Sequence, residues 1–324
     1  MSNVAILTFE ERNAKWVASY QGRVLAASSS KDYVVNSIRE GRCSRANAVG
    51  VKDVKEIGEV ALNTTTGRME KVDRFGINER FDFLTDFVNM VADRTSPSLV
   101  VTGEGGLGKT HTVNTALKNS GMRELSQVLE IVGDGDSIPL REQRKMYTIV
   151  KGYSTAKGLY RTLYENRNRV VVFDDCDSIL RDPVALNVLK GALDSYDVRI
   201  ISWNSEGFGS KDDDLPRSFK FDGGVIFISN MSINKIDQAV RSRSICVDLS
   251  MNTAQKIERM GAIIQSEEFM PDFKMSVKKD ALEFIDSMQD SVANLSLRTL
   301  ISVIKVASRG GDWKRRAEYL MTSA

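Results

Sequence analysis

Apolar and polar positions follow three different patterns along this chain of 324 residues. Through the middle of the chain, short β-forming runs such as residues 98–102 and 170–173 alternate with longer amphipathic segments. Residues 78–94, for example, carry apolar side chains three and four positions apart, which is typical of a helix with one buried face. This alternation continues to about residue 249, and it predicts an α/β fold in which helices flank a parallel sheet.

The amino-terminal segment has a different pattern. Apolar runs at residues 4–7, 16–20 and 23–26 predict strands, and residues 31–40 have the spacing of a helix. Residues 1–62 are therefore predicted to form a small β-rich α+β module with one helix. The polar, Thr-rich stretch that follows, up to residue 73, is typical of a linker.

The strand pattern is lost near the carboxyl terminus. Helical spacing recurs over residues 254–264, 279–288 and 297–307. We therefore predict a small all-helical lid over residues 251–324. The central α/β domain then extends over residues 63–250.

Composition narrows the possible functions. Charged residues make up 27% of the chain and its net charge is only +2, so it lacks the general positive charge of many nucleic-acid-binding proteins. Cys43, Cys176 and Cys246 fit neither a zinc pattern nor a disulfide framework, and His111 is the only histidine. Without an apolar run of about 20 residues or a signal peptide, we expect a cytoplasmic protein that does not contact a membrane.

The strongest candidate for chemistry is a glycine-rich loop, residues 103–110, which matches the phosphate-binding (Walker A) pattern G-x-x-x-x-G-K-[ST]. Its glycines let backbone N–H groups and a helix N-terminus point at phosphate oxygens. Lys109 is expected to reach the β- and γ-phosphates of a nucleoside triphosphate, and the Thr110 hydroxyl to ligate Mg²⁺. The predicted nucleotide-binding residues of this segment are Gly103, Glu104, Gly105, Gly106, Leu107, Gly108, Lys109, Thr110 and His111.

A second candidate, an acidic Walker B element, follows the apolar run 170–173. The run leads into Asp174, Asp175 and Asp177 at the predicted carboxyl edge of the sheet, where α/β proteins bind their ligands. Asp174 is the predicted Mg²⁺ ligand opposite Thr110. Asp175 is expected to orient or deprotonate the attacking water, with Asp177 as the alternative base.

With these two elements the chain resembles the AAA+ ATPases, a family of P-loop NTPases, over about residues 74–310. The second motif of that family usually reads Asp-Glu-x-Asp, whereas this chain has Asp175 in place of the glutamate. The shorter side chain withdraws the carboxylate by more than about 1 Å, and a positioning error of that size can cost about a hundredfold in rate. Either the attacking water is bound closer to the shorter side chain of Asp175, or hydrolysis is slow. The compact build is also similar to that of a viral or mobile-element ATPase.

The resemblance implies roles for three further segments. Residues 224–230 resemble the sensor-1 strand, with Asn230 placed to orient water or contact the γ-phosphate. Arg243, which we favour over Arg241, resembles the arginine finger that acts on the nucleotide of a neighbouring subunit. Arg298 resembles the sensor-2 residue that contacts phosphate within its own subunit. A finger acting between subunits implies a homo-oligomer, most simply a ring or spiral of six copies.

Three functional hypotheses follow. The leading one is a Mg²⁺-dependent ATPase motor that remodels or moves a protein or nucleoprotein partner. The alternative is a helicase-like DNA translocase, in which a hairpin of residues 198–203 and 218–221 touches nucleic acid, although the acidic tip 211–214 disfavours phosphate contact. The third is a nucleotide-gated scaffold that hydrolyses slowly. Residues 151–153 and a basic patch around Trp313 are further candidate contacts for a partner or nucleic acid.

Overall fold

The computed structural model describes residues 3–10, 15–20, 23–56, 74–132, 138–203, 215–292 and 294–323. The chain divides into two compact units, residues 1–72 and 73–324. The predicted linker and the predicted boundary after residue 62 lie outside the described residues. The central sheet and the lid belong to the same unit.

The smaller unit contains a four-stranded sheet in the order β3-β2-β1-β4. Its elements are β1 (Asn3–Glu10), β2 (Lys15–Tyr20), β3 (Arg23–Ser28), α1 (Lys31–Arg39), α2 (Ser44–Ala48) and β4 (Val51–Glu56). The three predicted strands and the first helix are confirmed. The sequence analysis missed β4, which pairs parallel to β1, because only Val51 and Val54 interrupt its polar run. It also missed the five-residue helix α2.

A six-stranded sheet, in which every neighbouring pair is parallel, forms the centre of the larger unit. Its strands are β5 (Ser98–Thr102), β6 (Arg123–Glu124), β7 (Met146–Lys151), β8 (Val170–Asp174), β11 (Gly224–Ile228) and β12 (Ile245–Asp248). Their order is β12-β5-β11-β8-β7-β6. The predicted α/β fold with a parallel sheet is therefore confirmed.

Helices cover both faces of this sheet. They are α3 (Ile77–Ala92), α4 (Lys109–Asn119), α5 (Leu125–Val132), α6 (Leu140–Gln143), α7 (Ala156–Glu165), α8 (Pro183–Ala192) and α9 (Gln238–Arg241). Side chains alternate between the faces along each strand. In β8, Val171 and Phe173 pack with α7 and α8, whereas Val170 and Val172 pack with α3 and α4. Since both faces are covered, the central strands read as continuous apolar runs.

A separate hairpin is formed by β9 (Ile200–Ser202) and β10 (Ser218–Lys220), which pair antiparallel. Each strand is shorter than the predicted one. Its base is fixed to the core, because Phe219 packs edge-on against Tyr160. The predicted acidic tip at residues 211–214 lies outside the described residues.

The lid is helical, as predicted. Its helices are α10 (Thr253–Ile264), α11 (Met275–Ser287), α12 (Leu297–Ala307) and α13 (Trp313–Thr322), and the last of these was not predicted. Met260, Ile285 and Ile304 contribute to a core of its own. Ser296 caps α12 and thereby fixes where that helix starts. Among the helices of the described residues, none combines the length and apolarity needed to cross a bilayer.

Candidate functional site

The carboxyl ends of four strands meet at one edge of the central sheet. The strand order places β11 between β5 and β8, so Asn230, which follows β11, lies between the glycine-rich loop and the acidic end of β8. A cavity of about 330 Å³ opens at this edge. It is lined by Gly105, Gly106, Leu107, Gly108, Lys109, Thr110, His111, Asp174, Asp175, Ile228, Asn230 and Arg298.

The conformation of the glycine-rich loop requires glycine at several positions. Gly103, Gly106 and Gly108 have φ values of 138°, 74° and 91°, a region that other residues rarely adopt. A Cβ atom on Gly103 would lie 3.0 Å from the backbone of Leu249, and one on Gly106 would lie 3.2 Å from Cβ of Ser296. The loop thus forms an open turn of backbone directly before α4, which fits the binding of phosphate.

Lys109 is buried beneath this loop. Its ammonium group donates to the backbone oxygens of Gly103 at 2.7 Å and Glu104 at 2.6 Å, and to Oδ1 of Asn230 at 3.0 Å. Burial lowers the pKa of Lys109, and nearby carboxylates, chiefly Asp175, oppose this shift. The backbone of the loop therefore holds the positive charge of Lys109 at the edge of the cavity.

Thr110 and Asp174 form a pair of oxygen donors at the start of α4 and the end of β8. The Thr110 hydroxyl donates to Oδ1 of Asp174 at 2.9 Å. Mg²⁺ is commonly held by one or two protein oxygens, with waters and phosphates completing an octahedron. No cluster of three or more His, Cys, Asp or Glu side chains arranged for a metal occurs among the described residues. The pair fits a Mg²⁺ ion that is shared with phosphate.

Asp175 has an unusual backbone conformation for a residue other than glycine, with φ at 56°. Its N–H donates to the Ile228 carbonyl at 3.0 Å, and its carboxylate accepts from Nδ2 of Asn230 at 2.6 Å. The side chain is exposed at the cavity. Strained backbone of this kind is common at functional sites.

Asp177, the alternative base, has a different partner. Its carboxylate accepts from the hydroxyl of Ser229 at 2.6 Å, and that hydroxyl oxygen accepts from the N–H of Met231 at 3.0 Å. Asp177 is not among the residues that line the cavity. Its hydrogen bonds join the segments that follow β8 and β11, so its position points to a structural role.

The lid touches the glycine-rich loop at two points. The N–H of Leu297 donates to the Gly106 carbonyl at 2.9 Å, and the exposed Arg298 lines the cavity beside it. Lys256 of α10 forms an ion pair with Glu104 at 2.5 Å. The sequence analysis did not identify Lys256, because no local pattern shows which loop a lid helix will meet.

Arg241 and Arg243 lie away from this cavity. The guanidinium of Arg243 donates to the Ala239 carbonyl at 3.1 Å, and its own carbonyl accepts from the hydroxyl of Ser98 at 3.2 Å. Ser98 begins β5, whereas the glycine-rich loop follows its other end, and five residues of strand rise about 13 Å. Both arginines are half-buried, and neither lines the cavity of its own chain.

The other predicted contact residues lie apart from the cavity. β7 ends at Lys151 as predicted, and the side chain of Tyr153 just beyond it is 83% exposed. In the carboxyl-terminal basic patch, Trp313 packs edge-on against Phe284 inside the lid. Arg315 and Arg316 line a separate shallow cavity. A role for either segment in binding a partner stays a prediction.

A larger cavity of about 500 Å³ lies at the opposite edge of the sheet. Two of its arginines, Arg94 and Arg199, donate to backbone carbonyls, including those of Val91 and Ala192 at the ends of α3 and α8. Burial, together with the neighbouring Arg199 and Arg144, lowers the pKa of Arg94 to about 10. These contacts point to a structural role in capping helix ends, so we place the functional site at the glycine-rich loop.

The chain is similar in sequence to a phage protein and shares a weak structural likeness with a solved AAA domain. No protein-family model matches the chain. The chain is 28% identical over 240 residues to an uncharacterized 36.7 kDa protein in the nrdC-mobD intergenic region of Enterobacteria phage T4, covering 69% of this chain and 68% of that protein. Among solved structures, the FIGL-1 AAA domain in complex with ADP is 12% identical, with a TM-score of 0.31 over 75% of this chain and 68% of that one. So low a TM-score supports no statement about function.

Proposed function

We propose that the chain is an ATPase of the AAA+ type, which binds ATP with Mg²⁺ at the glycine-rich loop and hydrolyses it. One observation carries the proposal: Asn230 joins the buried Lys109 to Asp175, directly beside the hydrogen-bonded pair of Thr110 and Asp174. Transfer of a phosphoryl group to water requires groups that bind phosphate, hold Mg²⁺ and position the water. This cavity offers a lysine, an amide, a carboxylate and a pair of oxygen donors suited to a metal.

Binding of the triphosphate is assigned to the loop and α4. Backbone N–H groups at the start of α4 would donate to phosphate oxygens, because the dipole of the helix favours negative charge at its N-terminus. We expect the Lys109 ammonium to exchange the carbonyl oxygens of Gly103 and Glu104 for the β- and γ-phosphates. Thr110 and Asp174 would hold Mg²⁺. The chemistry that a bound Mg²⁺ supplies is neutralisation of charge on the phosphate oxygens.

Hydrolysis is assigned to Asp175 and Asn230. Asp175 orients a water molecule and accepts its proton while the water oxygen bonds to the γ-phosphorus, and ADP leaves with the electron pair of the broken bond. The amide of Asn230 holds the carboxylate in place through the 2.6 Å hydrogen bond. Its carbonyl oxygen contacts Lys109, so one side chain links the groups assigned to phosphate binding and to water activation.

The third part of the proposal is an assembly of identical subunits. We assign Arg243 to a neighbour's nucleotide, because it lies at the sheet edge opposite the cavity of its own chain. Arg241 is the alternative finger. A ring or spiral, with six copies as the simplest arrangement, would then move a protein or nucleoprotein partner as nucleotide states change at each interface.

A titration of the full chain with ATP tests the binding step, and phosphate release tests hydrolysis. We expect ATP to bind in the presence of Mg²⁺, Lys109→Ala to bind it at least tenfold more weakly, and Asp175→Asn to bind it but hardly turn it over. Lys190→Ala is a matched control, because Lys190 is exposed on α8. Wild-type protein without affinity for adenine nucleotides at any Mg²⁺ concentration would refute the proposal.

A second candidate is a nucleotide-gated scaffold, and the shortness of Asp175 favours it. The carboxylate is already bound by Asn230, and its side chain is one methylene shorter than glutamate, so it approaches a water less closely. The scaffold predicts assembly that depends on ATP with negligible turnover. Asp175→Glu distinguishes the two candidates, since a marked rise in rate favours the scaffold and a fall favours an active site built around aspartate.

A further inference from the structure

We propose that Lys151 is an internal counter-ion of Asp174 which competes with Mg²⁺ for that carboxylate and so sets how much Mg²⁺ the site requires. This inference rests on the proposed function, because it concerns the metal position of the same site. It assigns a role to a residue that the sequence analysis had considered only as a contact for a partner.

The sheet brings the two residues together. β7 and β8 are adjacent parallel strands, and Lys151 is the direct partner of Asp174 in their register. Each is the last residue of its strand. The N–H of Gly152 donates to the Asp174 carbonyl at 3.4 Å, which keeps the ends of the strands together. The position of the Lys151 backbone beside Asp174 is therefore fixed by the sheet itself.

The two oxygens of the Asp174 carboxylate have different partners. Oδ1 accepts from Thr110 at 2.9 Å, and Oδ2 lies 3.5 Å from Nζ of Lys151. Only 8% of the Asp174 side chain is exposed, so little solvent is available to compensate its charge. Lys151 thus supplies the positive charge that a Mg²⁺ ion would otherwise bring to this carboxylate.

Two features make Lys151 displaceable. Its side chain is 66% exposed, so its ammonium can turn into solvent at little cost. Lys109, the other lysine of the site, is bound to loop carbonyls and to Asn230, so it is directed elsewhere. Mg²⁺ held between Thr110 and Oδ1 of Asp174 therefore competes with Lys151 for the charge of one carboxylate, and its apparent affinity falls by up to the strength of this ion pair. For a pair this exposed we expect a factor of about two to five.

The test measures binding of ATPγS to the full chain by calorimetry, in EDTA and at a series of buffered Mg²⁺ concentrations. Lys151→Met keeps the length of the side chain and removes the charge. We expect this variant to increase the ratio of ATPγS affinity with Mg²⁺ to ATPγS affinity without Mg²⁺ by about two- to fivefold. The Mg²⁺ concentration that gives half of the gain in affinity should fall by the same factor. Lys151→Arg and the surface control Lys190→Met should both behave as wild type.

A double variant shows whether the effect of Lys151→Met on the Mg²⁺ dependence depends on Asp174 or only on the loss of one positive charge. In an Asp174→Asn background the carboxylate is absent, so Lys151→Met should no longer alter the Mg²⁺ dependence. Thermal unfolding of each variant checks that the fold is retained.

Three results separate the possible failures. An unchanged affinity ratio in Lys151→Met overturns the role of Lys151. A ratio that falls instead of rising also overturns it, because Lys151 then assists the metal-bound nucleotide rather than competing with Mg²⁺. If wild-type protein binds no ATPγS at all, the proposed function itself has failed.

Discussion

The side-chain amide of Asn230 donates to the Asp175 carboxylate at 2.6 Å, and this bond joins two residues that lie 55 positions apart. The other end of the amide accepts from Lys109 at 3.0 Å. The two partners determine its orientation, since rotating the amide would place NH₂ against an ammonium and oxygen against a carboxylate. The orientation of the Asn230 amide is therefore fixed by the positive charge of Lys109 on one side and the negative charge of Asp175 on the other.

Asn230→Ala tests this connection. Turnover is expected to fall about a hundredfold or more, because the carboxylate loses its positioning partner, while ATP affinity changes less than tenfold. Steady-state phosphate release gives the rate, and titration with ATPγS gives the affinity. Asn187→Ala, on the exposed surface of α8, is the control. Full turnover in Asn230→Ala would show that Asp175 acts without this amide.

Substitution of Gly106 tests the backbone of the loop. Gly106→Ala is expected to weaken ATP binding more than tenfold, because its φ of 74° is strained for alanine and the new Cβ would lie 3.2 Å from Cβ of Ser296. Gly76→Ala is a matched control. Gly76 has a φ of −61°, and nothing lies within 4 Å of the position of its Cβ. Equal affinities for the two variants would contradict the proposed use of the loop.

The assembly is tested by mixing two inactive variants. Lys109→Ala retains its finger but has a defective loop, whereas Arg243→Ala retains its loop but lacks the finger. Each alone is expected to lose about a hundredfold or more in ATPase rate, and the mixture should recover part of it, because one type of interface combines an intact loop with an intact finger. Arg241→Ala serves as the comparison. An Arg243→Ala protein that is fully active by itself would rule out this role.

The ion pair between Glu104 and Lys256 is expected to hold the lid against the glycine-rich loop. Its side chains are 61% and 12% exposed, so Lys256 sits largely out of solvent. Lys256→Met should lower the thermal unfolding midpoint by a few degrees, as expected for a loss of about 1 kcal/mol. Glu104→Gln should then add little in the Lys256→Met background. Lys279→Met is the control, because Lys279 is exposed on α11. An equal decrease of the unfolding midpoint in both variants would show that the ion pair does not stabilise the lid specifically.

The pH dependence of stability reports on Lys109. Burial lowers its pKa in the folded state, so between that pKa and the ordinary value of 10.5 the unfolded chain binds more protons than the folded one. The free energy of unfolding of the wild type, relative to Lys109→Met, should therefore increase as pH rises through this window toward 10.5. Urea unfolding at several pH values measures the difference. A difference that falls with pH would mean that the loop oxygens stabilise the ammonium more than burial destabilises it.

Much of the candidate site could be predicted from the sequence, because its signals are local. The glycine-rich loop is a continuous segment whose turns require glycine, and the acidic end of β8 directly follows a buried strand. The central strands were also found, since burial on both faces makes each a short apolar run. The predictions were weakest where the local pattern was polar or short, as in β4 and α2.

Local sequence therefore determined which segments line the candidate site and which groups they offer: the loop with Lys109 and Thr110, and the carboxylates that follow β8. Only the tertiary structure decided which groups meet. Strand order placed Asn230 between Lys109 and Asp175, register placed Lys151 against Asp174, and lid packing placed Lys256 on Glu104. Such neighbours depend on lateral pairing and packing between segments far apart in the chain, and no local periodicity encodes them.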